Sequence, residues 1–160
     1  MGDDVKTAAE AVEADALPRV HEVHSDPAMP NAGDKAVPKG VAKTPIQKKS
    51  QAQWAYERLI IYLKNFEEQL DNEHEAAMGF TGGDAGVLRI EGMGYYDPDI
   101  VTFYGSDPAG GRTQLVQHVS QLNVMLRAVP KALEQAEPNR IGFRLAQDLE
   151  DNGEKPTEAV

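Results

Sequence analysis

Gly86-Val-Leu-Arg-Ile-Glu-Gly-Met-Gly-Tyr-Tyr-Asp-Pro-Asp-Ile-Val-Thr-Phe-Tyr-Gly105 is the stretch whose reading decides the fold. Leu88 and Ile90 alternate with Val87, Arg89 and Glu91, the period of a half-buried strand. Gly92 and Gly94 interrupt that strand and predict a bend or bulge. Asp97-Pro98-Asp99 has turn chemistry, because proline presets φ and Asp side chains bond nearby backbone amides. Ile100 to Tyr104 is β-branched and aromatic, a second strand.

Working outward towards the N-terminus, Thr81-Gly82-Gly83-Asp84 has the residues of a hairpin turn. Ala76 to Phe80 reads as a short strand. Before it, Ser50 and Gln53 fit a capping box that opens a helix from about Gln51 to about Glu73. Tyr56, Leu59, Leu63, Phe66 and Leu70 form its apolar stripe, widened by Trp54, Ile60 and Ile61. A narrow stripe would suit a coiled coil; this wider one favours packing on a sheet. Glu57, Lys64, Glu67, Glu68 and Asp71 are expected on the wet face, with His74 at the helix C-terminus.

On the other side, Ser106 to Gly111 is a turn. Residues 113–126 fit either a helix or a strand pattern, and two short strands broken near Val119–Gln121 fit better. Pro130 stops the second of these. Residues 131–139 read as an acidic loop or short helix, and the alternation Ile141, Phe143, Leu145 as a final strand.

Residues 1–49 contain almost no large apolar side chains, and prolines 18, 27, 30, 38 and 45 break them. Such a segment buries too little to offset its ordering entropy, so it is expected to be a disordered Pro/Ala/Lys-rich arm, with a transient helix at residues 3–16 at most. Residues 150–160 are expected to be a disordered acidic tail. One domain, residues 50–149, remains between them.

The net charge of −10 is unevenly spread. Residues 52–149 carry eight Lys/Arg against fourteen Asp/Glu, net −6. An acidic domain repels phosphate backbones, which disfavours general nucleic-acid binding. Lys35, Lys39, Lys43, Lys48 and Lys49 follow one another with no acid between and form a candidate basic arm, although solvated tails commonly look the same. The absence of cysteine removes disulfides and thiolate chemistry. No apolar run reaches the length of a membrane span, and the first residues lack a signal-peptide layout. The expected compartment is the cytoplasm.

The helix, short strand, bent strand, strand and two further short strands resemble the Sm-like fold, a strongly bent five-stranded barrel with an N-terminal helix. Glu91-Gly-Met-Gly-Tyr-Tyr-Asp97, followed by Ile100 to Phe103, is similar to the first Sm motif. Leu115-Val-Gln-His-Val-Ser120, continuing to Val129-Pro130, is similar to the second half of the bacterial Sm-like RNA chaperone. Gln117 stands where that chaperone has Lys, and the Asn after the Asp-containing loop is missing. The resemblance implies a site at Tyr95, Tyr96, Asp97 and His118, and rings built by edge-strand pairing. Residues 54–149 as a whole also resemble an uncharacterised bacterial domain family with no assigned function.

Other chemistry is thin. Asp97 and Asp99, with Asp84 or Asp107, offer too few alternating oxygens for a calcium loop. His21 and His24 sit three apart in the arm, where solvation explains them. Gly79 to Gly86 lacks the Gly-Lys-Ser/Thr ending of a phosphate loop. The expected fold is therefore α+β: a long N-terminal helix on a small, strongly bent antiparallel sheet or Sm-like β-barrel, with disordered tails. The expected role is non-enzymatic, an oligomerising or scaffold module that pairs with itself or a protein partner and needs no cofactor or metal. Single-stranded RNA binding through Tyr96, Asp97 and His118, with the lysine arm supplying charge, is the alternative. A small metal-dependent hydrolase using Asp97, Asp99 and His118 is the remaining one.

Overall fold

The computed structural model describes residues 17–80 and 87–154. The helix expected at residues 3–16, the turn at Thr81–Asp84 and the end of the acidic tail lie outside the described residues. The described residues divide into two compact units, one within residues 50–146 and a second made of residues 17–49 together with 147–154.

The larger unit is α+β. Strands β1 (His74–Phe80), β2 (Val87–Tyr96), β3 (Ile100–Ser106), β4 (Arg112–His118) and β5 (Val124–Pro130) form one antiparallel sheet in the order β4-β3-β2-β1-β5. The sheet is open: β4 and β5 are its two edges and do not pair with each other. The barrel expected from the sequence is thus not closed within one chain. Between β4 and β5 a single 3-10 turn, Val119–Gln121, breaks residues 113–126 into the two short strands expected.

The bulge falls where the glycines predicted it, with the β2–β3 register shifting between Ile90 and Gly92. A Cβ on Gly105, opposite, would lie 2.0 Å from the Arg89 carbonyl oxygen, so only glycine fits beside the bulge. After the shift, Met93 and Tyr95 return to the face of Leu88 and Ile90. Gly92 and Gly94 point the other way, beneath the ring of Tyr104 on β3, which lies within van der Waals reach of both.

Helix α1 (Lys39–Ala42) is a single turn in the smaller unit, and α2 (Gln51–Glu67) packs against β1, β2 and β3. This corrects three expectations about the helix. It is not the first element, because α1 and 3-10 turns at Ala32–Asp34 and Ile46–Lys48 precede it. It has 17 residues and ends at Glu67, not Glu73. Past Glu67 the amides of Gln69 and Leu70 make tight i→i+3 bonds, and Asp71 Oδ1 takes the Glu73 N–H at 2.9 Å, so local side-chain bonding competes with the helix. His74 consequently opens β1 instead of closing the helix, with Nδ1 2.7 Å from Asp71 Oδ1. The buried stripe is also rotated: Ala52, Tyr56, Ile60, Leu63 and Glu67, not Tyr56, Leu59, Leu63, Phe66 and Leu70. Glu57 and Glu67, placed on the wet face by the sequence, are each 1 % exposed.

The core lies between α2 and the near face of the sheet. Phe103, Met78, Ile90 and Val101 come from the three central strands, and Ile60 and Leu63 from the helix. Phe80 meets Phe103 edge-on at 4.9 Å. On the far face, Ala77 is buried between Arg89 and Arg127, its cross-strand neighbours on either side. Arg89 also reaches the buried carboxylate of Glu75 and the Pro130 carbonyl. The Asn139 N–H gives Glu75 a second donor at 2.7 Å.

Residues 140–145, expected as a last strand, instead form the start of α3 (Ile141–Glu154) from Ile141 on. Five residues alternating apolar and polar fit either period. Ile141, Ala146 and Leu149, all buried, carry the helical one onward.

The smaller unit holds the lysine-rich segment. Here Val41 is fully buried, and a Cβ on Gly40 would lie 2.1 Å from the Leu149 carbonyl oxygen. Lys49 is itself buried and donates to the Val41 carbonyl at 2.5 Å. The Lys39 N–H bonds Glu150 Oε2 at 3.0 Å. Short helical turns therefore occur within the stretch read as an arm. One of them, α1, also meets Leu149 and Glu150, which are remote in sequence.

Candidate functional site

The turn Asp97–Asp99 is the place where three segments of the larger unit meet. The first is the start of α2. Ser50 Oγ accepts the Gln53 N–H at 3.0 Å and donates to Asp97 Oδ1, and the Ala52 N–H donates to the Pro98 carbonyl at 3.0 Å. Two amides that a helix start leaves without intrahelical partners are thus satisfied, one by the cap and one by the turn. The Asp97–Pro98 peptide is cis.

The second segment is the end of β4. His118 Nε2 lies 3.0 Å from Asp99 Oδ2, and the Val119 N–H donates to the Asp99 carbonyl at 2.9 Å. His118 Nδ1 accepts the Ser120 N–H at 3.1 Å and lies 2.8 Å from Ser120 Oγ, while Gln121 Oε1 takes the His118 N–H at 3.0 Å. These bonds assign the tautomer: Nδ1 accepts, and Nε2 carries the hydrogen shared with Asp99. The row Asp99, His118, Ser120 has the order of an acid, a base and a nucleophile. Its lone pair at Nδ1, however, already holds the backbone amide of Ser120, so the arrangement is the capping box of the 3-10 turn. His118 and Asp99 also remain partly open to solvent, with 43 % and 36 % of their side-chain surface exposed.

The third segment is the end of β2. Tyr95 turns towards the helix, its ring 5.0 Å from that of Tyr56. Burial, then the nearby carboxylates of Asp97 and Glu57, push the Tyr95 phenol above its ordinary value. Tyr96 points the other way and is 60 % exposed. It pairs with Ile100, which pairs in turn with His118, so Tyr96, Ile100 and His118 form one cross-strand row on the far face.

Of the residues singled out by the sequence, the structure gathers Tyr95, Tyr96, Asp97 and His118 around one turn. The partner of His118 is Asp99, whereas Asp97 belongs to Ser50. Gln117 lies on the helix-facing side, next to Val101. The lysines fall in the other unit, where Lys35 and Lys39 line a cavity of about 520 Å³ with Leu17, Pro18, Val20 and Val37. Among the described residues no group of three or more His, Asp or Glu is placed to hold a metal ion. None of the described helices is long and apolar enough to cross a membrane.

Sequence reasoning missed the buried acids Glu57, Glu67 and Glu75. A signal existed for Glu67, which continues the spacing Ala52, Tyr56, Ile60, Leu63. Burial pushes its carboxyl up to about 7, against hydrogen bonds from Gly142 and Phe143 and the charge of Arg140.

No curated protein and no solved structure matches this chain. The model of DUF6173, a family of unknown function, matches residues 45–144. That match runs from just before α2 to the first turn of α3 and takes in the whole sheet, so the chain belongs to this family of unknown function.

Proposed function

We propose that residues 50–146 are a non-enzymatic oligomerising or scaffold module, an Sm-like small barrel whose open sheet is completed by neighbouring copies. The observation that carries this reading is the state of the two edges. No residue of β4 or β5 is fully buried, although both strands alternate. Val116 on one edge and Met125 on the other are 56 % and 53 % exposed. An open edge presents a row of unpaired amides and carbonyls, and another chain is the usual way to cover it. Two different edges pairing head to tail generate a closed ring when the rotation permits. The helix ahead of five strands, the glycine bulge in β2 and the one-turn break before β5 support the Sm-like reading.

Light scattering coupled to size exclusion on the full chain at tens to hundreds of micromolar tests it. A discrete oligomer is expected, reduced to monomer by Val116→Lys or Met125→Lys. A monomer throughout that range overturns the proposal.

A second reading, single-stranded RNA binding, draws on the row Tyr96, Ile100, His118, in which Tyr96 is exposed and the other two are half-buried. An open tyrosine is a stacking platform for a base. Fluorescence anisotropy with mixed short RNAs at low salt should then show binding that weakens as salt rises and drops with Tyr96→Ala. Undetectable binding at low salt removes this reading and leaves the first untouched.

A further inference from the structure

Glu67, the last residue of α2, is 1 % exposed and seats the first turn of α3. Its Oε1 accepts the Phe143 N–H at 3.0 Å. The fit is close, for a Cβ on Gly142 would lie 2.4 Å from that oxygen and 2.8 Å from the Lys64 backbone nitrogen. Oε2 is buried and has no hydrogen-bond partner among the described residues. An ionised carboxylate so placed keeps the favourable amides of a helix start but leaves one charged oxygen without solvent, which is the costlier term.

The charged groups around it do not cancel that cost. Arg140, just before α3, directs its guanidinium to the carbonyls of His74 and Asp71, at 2.6 and 2.8 Å. Its charge favours the carboxylate, and Glu75 on β1 disfavours it. On the same helix as Glu67, the Lys64 ammonium sits 5.9 Å from the centre of the Phe143 ring.

We propose that Glu67 is a protonation latch: the neutral acid holds the first turn of α3 against the end of α2, and ionisation loosens it. Loosening hydrates the carboxylate, so opening and ionisation are coupled. Burial has already moved the group's titration up to about 7, into the neutral range. The direction follows from that raised value. The closed state holds its proton more tightly than the open one, so the latch is strongest below the ordinary carboxylate range. It weakens as pH rises towards 7 and changes little above.

Amide exchange of Phe143 and Arg144, measured by NMR on the full chain and corrected for the intrinsic pH dependence, reads the opening directly. Between about pH 5 and 8 the opening equilibrium should rise by about one to two orders of magnitude. The amides of Val101 and Phe103, in the centre of the sheet, should not follow it. Glu67→Gln should flatten the response at Phe143. A flat response in the unmodified protein overturns the latch, and so does a Glu67 carboxyl ¹³C titration at the ordinary carboxylate value. That titration needs no variant, so the test stands even if Glu67→Gln fails to fold.

Discussion

The centre and the edges of the sheet carry the same alternation and end in different states. In β1, β2 and β3 the residues facing the helix are sealed: Met78, Ile90 and Phe103 are 2 % exposed or less. In β4 and β5 the corresponding positions, Leu115 beside Phe103 and Leu126 beside Met78, are only half-buried. Alternation states which side chains share a face. Whether that face is covered depends on what lies above it. A single helix of 17 residues covers three strands and leaves two. The two edge strands, half-covered on this face, are the physical basis of the proposed role.

The contrast can be broken at its strong end first. Phe103→Ala should lower the unfolding free energy by about 3–5 kcal/mol, read by urea denaturation, because it empties a closed site. A loss as small as that of an edge residue would mean that the centre relaxes freely and that the two regions do not differ. Glu67→Gln should stabilise the protein by about 1–3 kcal/mol at pH 8, because it removes a buried charge. The gain should disappear near pH 4, where the carboxyl is protonated in both the folded and the unfolded chain. Equal effects at both pH values would place the ionisation outside this range.

Leu115→Ala sharpens the comparison. In a monomer a half-buried edge leucine should cost about 1–2 kcal/mol, less than its neighbour Phe103. If copies pair through β4, the cost should grow with protein concentration, since assembly and stability are then linked. The smallest effect is expected from His118→Ala. Its part-buried bond to Asp99 and its cap on the 3-10 turn together should contribute about 0.5–1 kcal/mol. A cost several times larger would show that the turn cluster braces the whole edge.

Much of this protein was legible in its sequence because the deciding signals are local. Ser50 caps the helix through its own Oγ, and Asp97-Pro98-Asp99 turns between β2 and β3 as expected, although its two carboxylates bond Ser50 and His118 and not their own backbone. Gly92 marks the bulge, and two short strands flank the break at Val119–Gln121. The gathering of Tyr95, Tyr96, Asp97 and His118 at one turn was legible too, as neighbours on adjacent strands. Which carboxylate would meet His118 was not, since Asp97 and Asp99 differ only in which way the turn presents them.

Other features were decided only in three dimensions. The rotation of the α2 stripe that buries Glu67 depends on how the helix settles on β1–β3. The helical state of Ile141 to Leu145 rests on buried partners beyond those five residues. An open sheet and a closed barrel have the same strands in the same order, so the pattern of one chain does not distinguish them. Hydrophobic period and turn chemistry are properties of neighbours in sequence. Coverage, closure and the protonation of a buried acid are set by groups that sequence alone does not bring together.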